Sequence, residues 1–234
     1  MIPPINADEA KVIQQFIAIE GYQAEVTPVH GYVLGSMKRT LTDIGIDTKG
    51  LKTWQIEVKK DPRPSRGGFF ACAYDDDGHV LALRGNGPWM RNESLRALKA
   101  MPELRSIRWD HNGFVGNHPE VDLYYGAGFD ALAESNFSVG EMANGRVTEA
   151  ALALIARMPR LTRIGFHEAV VSYENGLKFL APMKGKLKEL DLSMSLVSEA
   201  DLEKLKGDQP NRVQFLFRES LVVVAHRSRS MACH

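Results

Sequence analysis

Cysteine is scarce in this sequence, neither sign of charge is in excess, and long hydrophobic runs are missing. With only Cys72 and Cys233 in 234 residues, the chain is not a disulfide scaffold, although a bridge between the two stays open. Lys plus Arg and Asp plus Glu both number 29. This zero balance argues against nucleic-acid binding, which needs a basic face to neutralise phosphates. No apolar run approaches the roughly 20 residues of a membrane-spanning helix, so no membrane span is expected.

The composition and the first residues narrow the class of protein further. Hydrophobic residues make up 44% of the chain and charged residues 25%, which is an average globular composition and argues against disorder. The start, Met-Ile-Pro-Pro-Ile-Asn, lacks the charged-then-apolar layout of a signal peptide. The sequence as given therefore predicts a cytoplasmic protein, and an extracytoplasmic one stays open if a leader has been trimmed.

A hydrophobic frame of the form LxxLxLxxN recurs in the later two thirds of the chain. Three units carry it well, and Leu83 and Phe217 mark partial units before and after them. Successive units are 25 or 26 residues apart, except for a gap of 57 residues between Trp109 and Phe166. The apolar positions of the three good units are expected to share one core: they are Leu104, Ile107, Trp109, Leu161, Ile164, Phe166, Leu187, Leu190 and Leu192.

The gap has room for one degenerate unit between the first and second good ones. Leu132, Phe137 and Gly140 fit the frame loosely, whereas Phe137 with Val139 would fit a frame two residues later. The register of this unit therefore stays open.

Segments with helical periodicity precede the frames. Residues 94–102 and 151–159 have apolar positions three residues apart, and a proline ends each of them. Before the last unit, Ser198 and Asp201 approximate a helix capping box. Each unit is thus expected to contain a short strand, a loop, a helix and a return.

The frame, its spacing and the recurring Met-Pro-x-Leu before it make residues 78–220 resemble the leucine-rich repeat family, in its irregular variants of about 25–29 residues with convex-side helices. The resemblance implies an α/β fold, namely a leucine-rich-repeat solenoid with parallel strands on the concave side and helices on the convex side. Two units depart from the family's pattern, because Ala169 and Ser195 replace the frame's Asn.

The remaining residues are expected to cap this solenoid. Residues 1–77 are predicted to form an N-terminal α+β cap, and residues 221–234 a C-terminal strand and mobile tail. Within the cap, the pattern predicts a helix from Ala7 to Glu20 behind Asn6 or Asp8, and a strand at 54–58. Residues 69–83 read as a hairpin closed by Asp77-Gly78. An extra repeat over residues 51–59 is the alternative.

Motifs of catalysis are missing from the sequence: it has no phosphate-binding loop, no GxSxG and no CxxC. No catalytic residue, metal site or cofactor is therefore predicted. The resemblance implies a non-catalytic module that binds a protein or peptide on its concave sheet face. The residues that the family's strand pattern places on that face are Arg84, Arg108, Asp110, Arg163, His167, Glu189, Asp191 and Arg218. The alternative is a solvated face whose charges pair within the sheet.

The long connection after Trp109 is the second candidate surface. Phe114, Tyr124 and Tyr125 give residues 110–130 the aromatic content that recognition loops often carry. Alternatively, the tyrosines replace a missing helix and pack into the core.

Two other functions compete with the binding module. One is an enzyme or metal-binding protein with a site in the N-terminal segment or the 110–130 loop, using His30, His111, His118 or Cys72. The other is a structural component in which the repeats serve self-association.

Overall fold

One mixed β-sheet runs through the whole structure. The computed structural model describes residues 4–18, 22–60, 63–86, 96–110, 139–143, 149–158, 160–167, 172–192, 197–208 and 214–216. Within these ranges, nine strands form a single sheet whose spatial order follows the chain. The strands are β1 (Tyr22–Thr27), β2 (Lys52–Lys60), β3 (Arg63–Tyr74), β4 (Val80–Asn86), β5 (Ser106–Asp110), β6 (Val139–Ala143), β7 (Arg163–His167), β8 (Glu189–Asp191) and β9 (Gln214–Leu216).

Helices lie between the strands and pack on both faces of the sheet. The α-helices are α1 (Ala7–Ile17), α2 (Gly31–Asp43), α3 (Glu149–Arg157) and α4 (Glu199–Asp208). Two further helical segments are 3₁₀ helices, at Leu98–Ala100 and Leu177–Met183.

The expected leucine-rich-repeat solenoid is wrong. Strands β1 to β4 pair antiparallel, and only the pairs from β4 to β9 are parallel, so the sheet is mixed. Helix α2 also packs on the face that a solenoid would leave open as its concave side. The extra repeat at residues 51–59 is wrong as well, because β2 runs antiparallel to both of its neighbours.

The strands that the frame predicts are nevertheless present and in register. Ile107 is level with Gly140, Gly140 with Ile164, and Ile164 with Leu190. Both registers considered for the degenerate unit are therefore wrong, because Gly140 takes the place that Ile107 has in its own unit. The predicted core positions whose side chains the structure describes are all buried: Leu104, Ile107, Leu161, Ile164, Leu187, Leu190 and Leu192. The side chains of Trp109 and Phe166 lie outside the described part.

The larger core lies on one face of the sheet and includes buried residues of β2, β3, β4, β5, β7 and β8. Helices α1, α3 and α4 and both 3₁₀ helices contribute buried residues to it, among them Ile13, Leu152, Leu180 and Leu205. The cap that begins α4 is the one predicted: Ser198 Oγ accepts a hydrogen bond from the Asp201 backbone N–H at 3.1 Å and donates one to Oδ2 of Asp201 at 2.7 Å.

Helix α1 begins as predicted and is tied to the β3–β4 turn. Asn6 caps it by accepting a hydrogen bond from the Asp8 backbone N–H at 3.0 Å. The turn contains Gly78 at φ +84°, and its carbonyl accepts a hydrogen bond from the Asn6 backbone N–H at 2.9 Å. A Cβ atom at Gly78 would lie 3.1 Å from the backbone nitrogen of Asn6. Glycine is thus required here by both the turn and the close approach.

Helix α2 forms a second, smaller core on the opposite face. Val33, Met37 and Leu41 are buried there against Phe69 and Ala71 of β3. The helix ends in a Schellman motif, in which the Gly45 N–H bonds the Thr42 carbonyl and the Ile46 N–H bonds the Leu41 carbonyl, with Gly45 at φ +85°.

The predicted boundary between the N-terminal cap and the repeat region lies between residues 77 and 78. In the structure, these two residues are in the turn that connects β3 to β4. The predicted C-terminal tail, residues 221–234, lies outside the described residues.

Candidate functional site

Charged side chains of the parallel strands lie on the sheet face that carries α2. Side chains alternate between the two faces along a strand, and Ile107, Ile164 and Leu190 belong to the core on the other face. The residues that flank them therefore share the face of α2. We define the charged face as the surface formed by Arg108 of β5, Arg163 of β7, and Glu189 and Asp191 of β8.

Arg163 forms two ion pairs, one with Glu189 on the neighbouring strand β8 and one with Asp43 at the end of α2. Its Nη2 donates to both carboxylate oxygens of Glu189, at 2.8 and 2.7 Å, and its Nη1 donates to Oδ2 of Asp43 at 2.7 Å. The side chains of Arg163 and Glu189 are only 16% and 14% exposed, whereas that of Asp43 is 43% exposed. Burial by itself lowers the pKa of Arg163, but the bonds to Glu189 and Asp43 outweigh it and raise the pKa. The guanidinium is therefore permanently charged and fixed in place.

The other predicted residues of this face differ in accessibility. Arg84 is buried beside the smaller core, so it offers little surface to a partner. Arg108 lies next to it on β5 and Asp191 lies on β8, and both are partly exposed. All three already engage groups within the chain. A partner would therefore meet Arg108 and Asp191 as positioned side chains.

Several predicted site residues cannot be placed. The side chains of Asp110 and His167, at the ends of β5 and β7, lie outside the described part. So do the remaining candidates, which are Phe114, Tyr124, Tyr125, Arg218, His111, His118 and Cys233.

His30 lies at the other end of α2, where the structure gives it partners that the sequence did not reveal. Its Nε2 is 2.8 Å from Oε1 of Glu57 on β2. Its ring stacks on Tyr32 with centroids 5.7 Å apart, and both rings contact Phe69 edge to face. The apolar positions Val33, Met37 and Leu41 repeat every four residues and could have indicated this helix, but Gly31 and Gly35 weaken the signal.

A second histidine–carboxylate pair holds α1 against the sheet. Glu9 is buried, and its carboxylate accepts hydrogen bonds from the Val80 backbone N–H at 2.6 Å and contacts Nδ1 of His79 at 2.9 Å. The hydrogen bond to Glu9 raises the pKa of His79 against the opposing effect of desolvation. The negative charges of Asp75 and Glu103 raise the pKa of His79 further.

Cys72 does not have the surroundings of a reactive thiol. It is fully buried in the larger core, and this burial, together with the charge of Glu9, raises the pKa of the thiol far above its ordinary value. The protonated thiol is a poor nucleophile and metal ligand. Cys72 therefore serves as a small core residue.

Metal-ligand clusters and membrane spans can be assessed only where the structure describes the chain. No group of three His, Cys, Asp or Glu side chains there could hold a metal ion. In the same ranges, no helix is both long and apolar enough to cross a bilayer. Comparison with protein families, curated proteins and solved structures found no match to this chain.

Proposed function

We propose that this chain is a non-catalytic binding module that recognises a protein or peptide on its charged face. The observation that carries the proposal is the pairing of Arg163 with Glu189 and Asp43 beside two partly exposed residues of opposite charge, Arg108 and Asp191. Arg163 can neutralise only one of its two carboxylate partners, so the three groups together carry one negative charge. Arg108 and Asp191 add one charge of each sign at fixed positions on this face, and both also interact with groups within the chain.

The parallel ladder holds these two charges at a fixed distance. Arg108 is on β5 and Asp191 on β8, three strands further along the sheet. At about 4.8 Å per strand step, the two lie roughly 14 Å apart. An extended peptide advances about 3.3 Å per residue, so about four residues separate two side chains at this distance. The complementary ligand has an acidic residue and a basic residue at that spacing.

Charge complementarity of this kind supports selectivity more than affinity. Opposite charges at fixed positions favour the right partner and orientation, and like charges disfavour the wrong one. The sheet fixes the backbone positions of Arg108 and Asp191, and interactions within the chain position their side chains. A positioned side chain loses less conformational entropy on binding than a free one does.

Selection from a library of displayed random peptides tests the proposal. The wild-type chain is expected to enrich peptides with an acidic and a basic residue about four positions apart. Arg108→Ala combined with Asp191→Ala should abolish binding of the enriched peptides.

The matched control is Lys99→Ala with Glu203→Ala, which removes one exposed charge of each sign from the helices on the opposite face. It should bind as the wild type does. Equal binding by the Arg108/Asp191 variant, or enrichment without the charge spacing, would contradict the proposal.

A further inference from the structure

Positive charge is concentrated in two turns at the amino-terminal ends of β7 and β8. We define the basic turns as residues 157–162 and 183–188. They contain no Asp or Glu, and their cations are Arg157, Arg160, Lys184, Lys186 and Lys188. All of these except Lys186 are exposed, and in the ranges that the structure describes none of the exposed four forms an ion pair. Because the whole chain has no net charge, this excess is a local one.

The second basic turn has a defined backbone. The Lys186 backbone N–H donates a hydrogen bond to the Met183 carbonyl at 2.9 Å. Between them, Lys184 has φ −51° and ψ 125°, and Gly185 has φ +79°. These angles and this bond are those of a type II β-turn. The turn therefore fixes where the side chains of Lys184 and Lys186 begin.

The two basic turns lie side by side. The Lys188 backbone N–H donates to the Thr162 carbonyl at 2.7 Å, and Nζ of Lys186 contacts the Met158 carbonyl in the first turn. The strands that follow the turns are neighbours in the sheet, so the turns are about 4.8 Å apart. The cations thus form two adjacent rows, and their long side chains can reach the same ligand.

We infer that the basic turns bind an acidic segment of a partner protein. Exposed cations without ion pairs can take up carboxylates without giving up partners within the chain. Two adjacent rows of cations match several carboxylates in succession along a peptide, and this complementarity favours a partner with clustered Asp or Glu. The inference does not depend on the charged face, which lies on the side of the sheet that carries α2.

The surroundings of the basic turns favour a peptide over other anionic partners. Single-stranded nucleic acids are bound by aromatic side chains on which the bases stack, and stable membrane anchoring takes an apolar or lipid anchor besides basic residues. In the part of the chain with described side chains, the exposed large hydrophobic residues are Val26 and Tyr32, which belong to β1 and α2. The basic turns therefore offer charge alone.

Chemical-shift titration of the full-length, ¹⁵N-labelled chain tests this inference. The probe is a capped tetraglutamate peptide, and a capped tetraglutamine peptide is its uncharged counterpart. Tetraglutamate should perturb the amides of residues 157–162 and 183–188 and should bind at least about tenfold more tightly than tetraglutamine. Binding should weaken as salt is raised, because exposed charges are screened. Pentathymidylate, which also carries four negative charges, should bind more weakly than tetraglutamate.

Variants locate the binding charges. Lys184→Gln combined with Lys188→Gln should weaken tetraglutamate binding about tenfold, at about threefold for each exposed charge removed. The matched control is Lys38→Gln with Lys49→Gln, which removes two exposed cations outside the basic turns and should bind as the wild type does.

Four results would overturn the inference. They are equal binding of tetraglutamate and tetraglutamine, equal losses in the two double variants, perturbations that map outside the basic turns, and tighter binding of pentathymidylate or of phosphatidylserine vesicles than of tetraglutamate.

Discussion

Replacement of Arg163 by methionine tests its largely buried ion pair with Glu189 on the charged face. Methionine keeps much of the arginine stem but removes the charge. It leaves the carboxylate of Glu189, which is 14% exposed, without the two hydrogen bonds it accepts at 2.8 and 2.7 Å. The carboxylate of Asp43 loses one bond, but it is 43% exposed and water can replace that bond.

The structure separates the sizes of the two effects. Removing one partner of a buried ion pair costs about 3–5 kcal/mol, whereas an exposed pair contributes about 0–1 kcal/mol. Because Glu189 is largely but not fully buried, Arg163→Met should lower the free energy of unfolding by about 2–3 kcal/mol. Asp43→Asn should lower it by about 0.5 kcal/mol. The double variant Arg163→Met with Glu189→Leu should recover most of the loss, because no buried charge is left unpaired.

Urea denaturation measures these differences, because the free energy of unfolding extrapolates linearly to water. The coupling energy between Arg163 and Glu189 follows from the double-mutant cycle and should be about 2 kcal/mol. Two results would refute the reasoning. One is a loss below about 1 kcal/mol for Arg163→Met, and the other is a loss for Asp43→Asn as large as that for Arg163→Met.

Other parts of the fold make further predictions. His79 has a raised pKa in the folded chain, so its pair with Glu9 stabilises the fold fully below about pH 6.5, and this stabilisation is lost as the pH rises through the raised pKa. His79→Asn should remove this part of the pH dependence of the urea midpoint. A pH profile that is the same in the variant as in the wild type would refute the prediction. Gly78→Ala should cost about 1–3 kcal/mol because of its positive φ and the backbone beside it. In contrast, Gly35→Ala, in α2 with open space around it, should stabilise by about 0.5–1 kcal/mol; equal effects at the two glycines would contradict this account. Alkylation mapped by mass spectrometry should leave Cys72 unmodified in the native chain, and modification without denaturant would show that its burial is wrong.

The strands of the parallel half could be predicted because the signal for them is local. A leucine frame with constant spacing places Ile164 level with Leu190, since each unit returns to the sheet after the same number of residues. The caps at Asn6 and Ser198 were predictable for the same reason: each depends on residues within three positions. In the degenerate unit, glycine replaces the frame's apolar residue at Gly140, and the register was lost there.

The architecture could not be predicted, because a repeat frame describes only one face of a sheet. It shows which side chains enter the larger core, but it does not show what packs on the opposite face. The stripe of Val33, Met37 and Leu41 lies in a segment interrupted by two glycines, so α2 was missed. Because the sequence pattern did not indicate α2, it predicted an open concave surface on the opposite face.

The sites were predictable only where the partners follow the strand register. The pair Arg163–Glu189 joins adjacent strands at the same level, as charge pairing within the sheet would require. The partner Asp43 is 120 residues away in sequence, and no periodicity connects it to Arg163. The same holds for His30 and Glu57, which come together only because α2 packs over β2 and β3.

The central functional claim is that a partner contacts Arg108 and Asp191. A charge swap tests it most directly, with one peptide enriched on the wild-type chain as ligand and the thermal midpoint of each variant as the check on folding. Arg108→Glu should weaken binding of that peptide at least tenfold, and changing the peptide's acidic residue to lysine should restore it to within about threefold of the original. Binding that survives Arg108→Glu, or a loss that the altered peptide does not reverse, would contradict the claim.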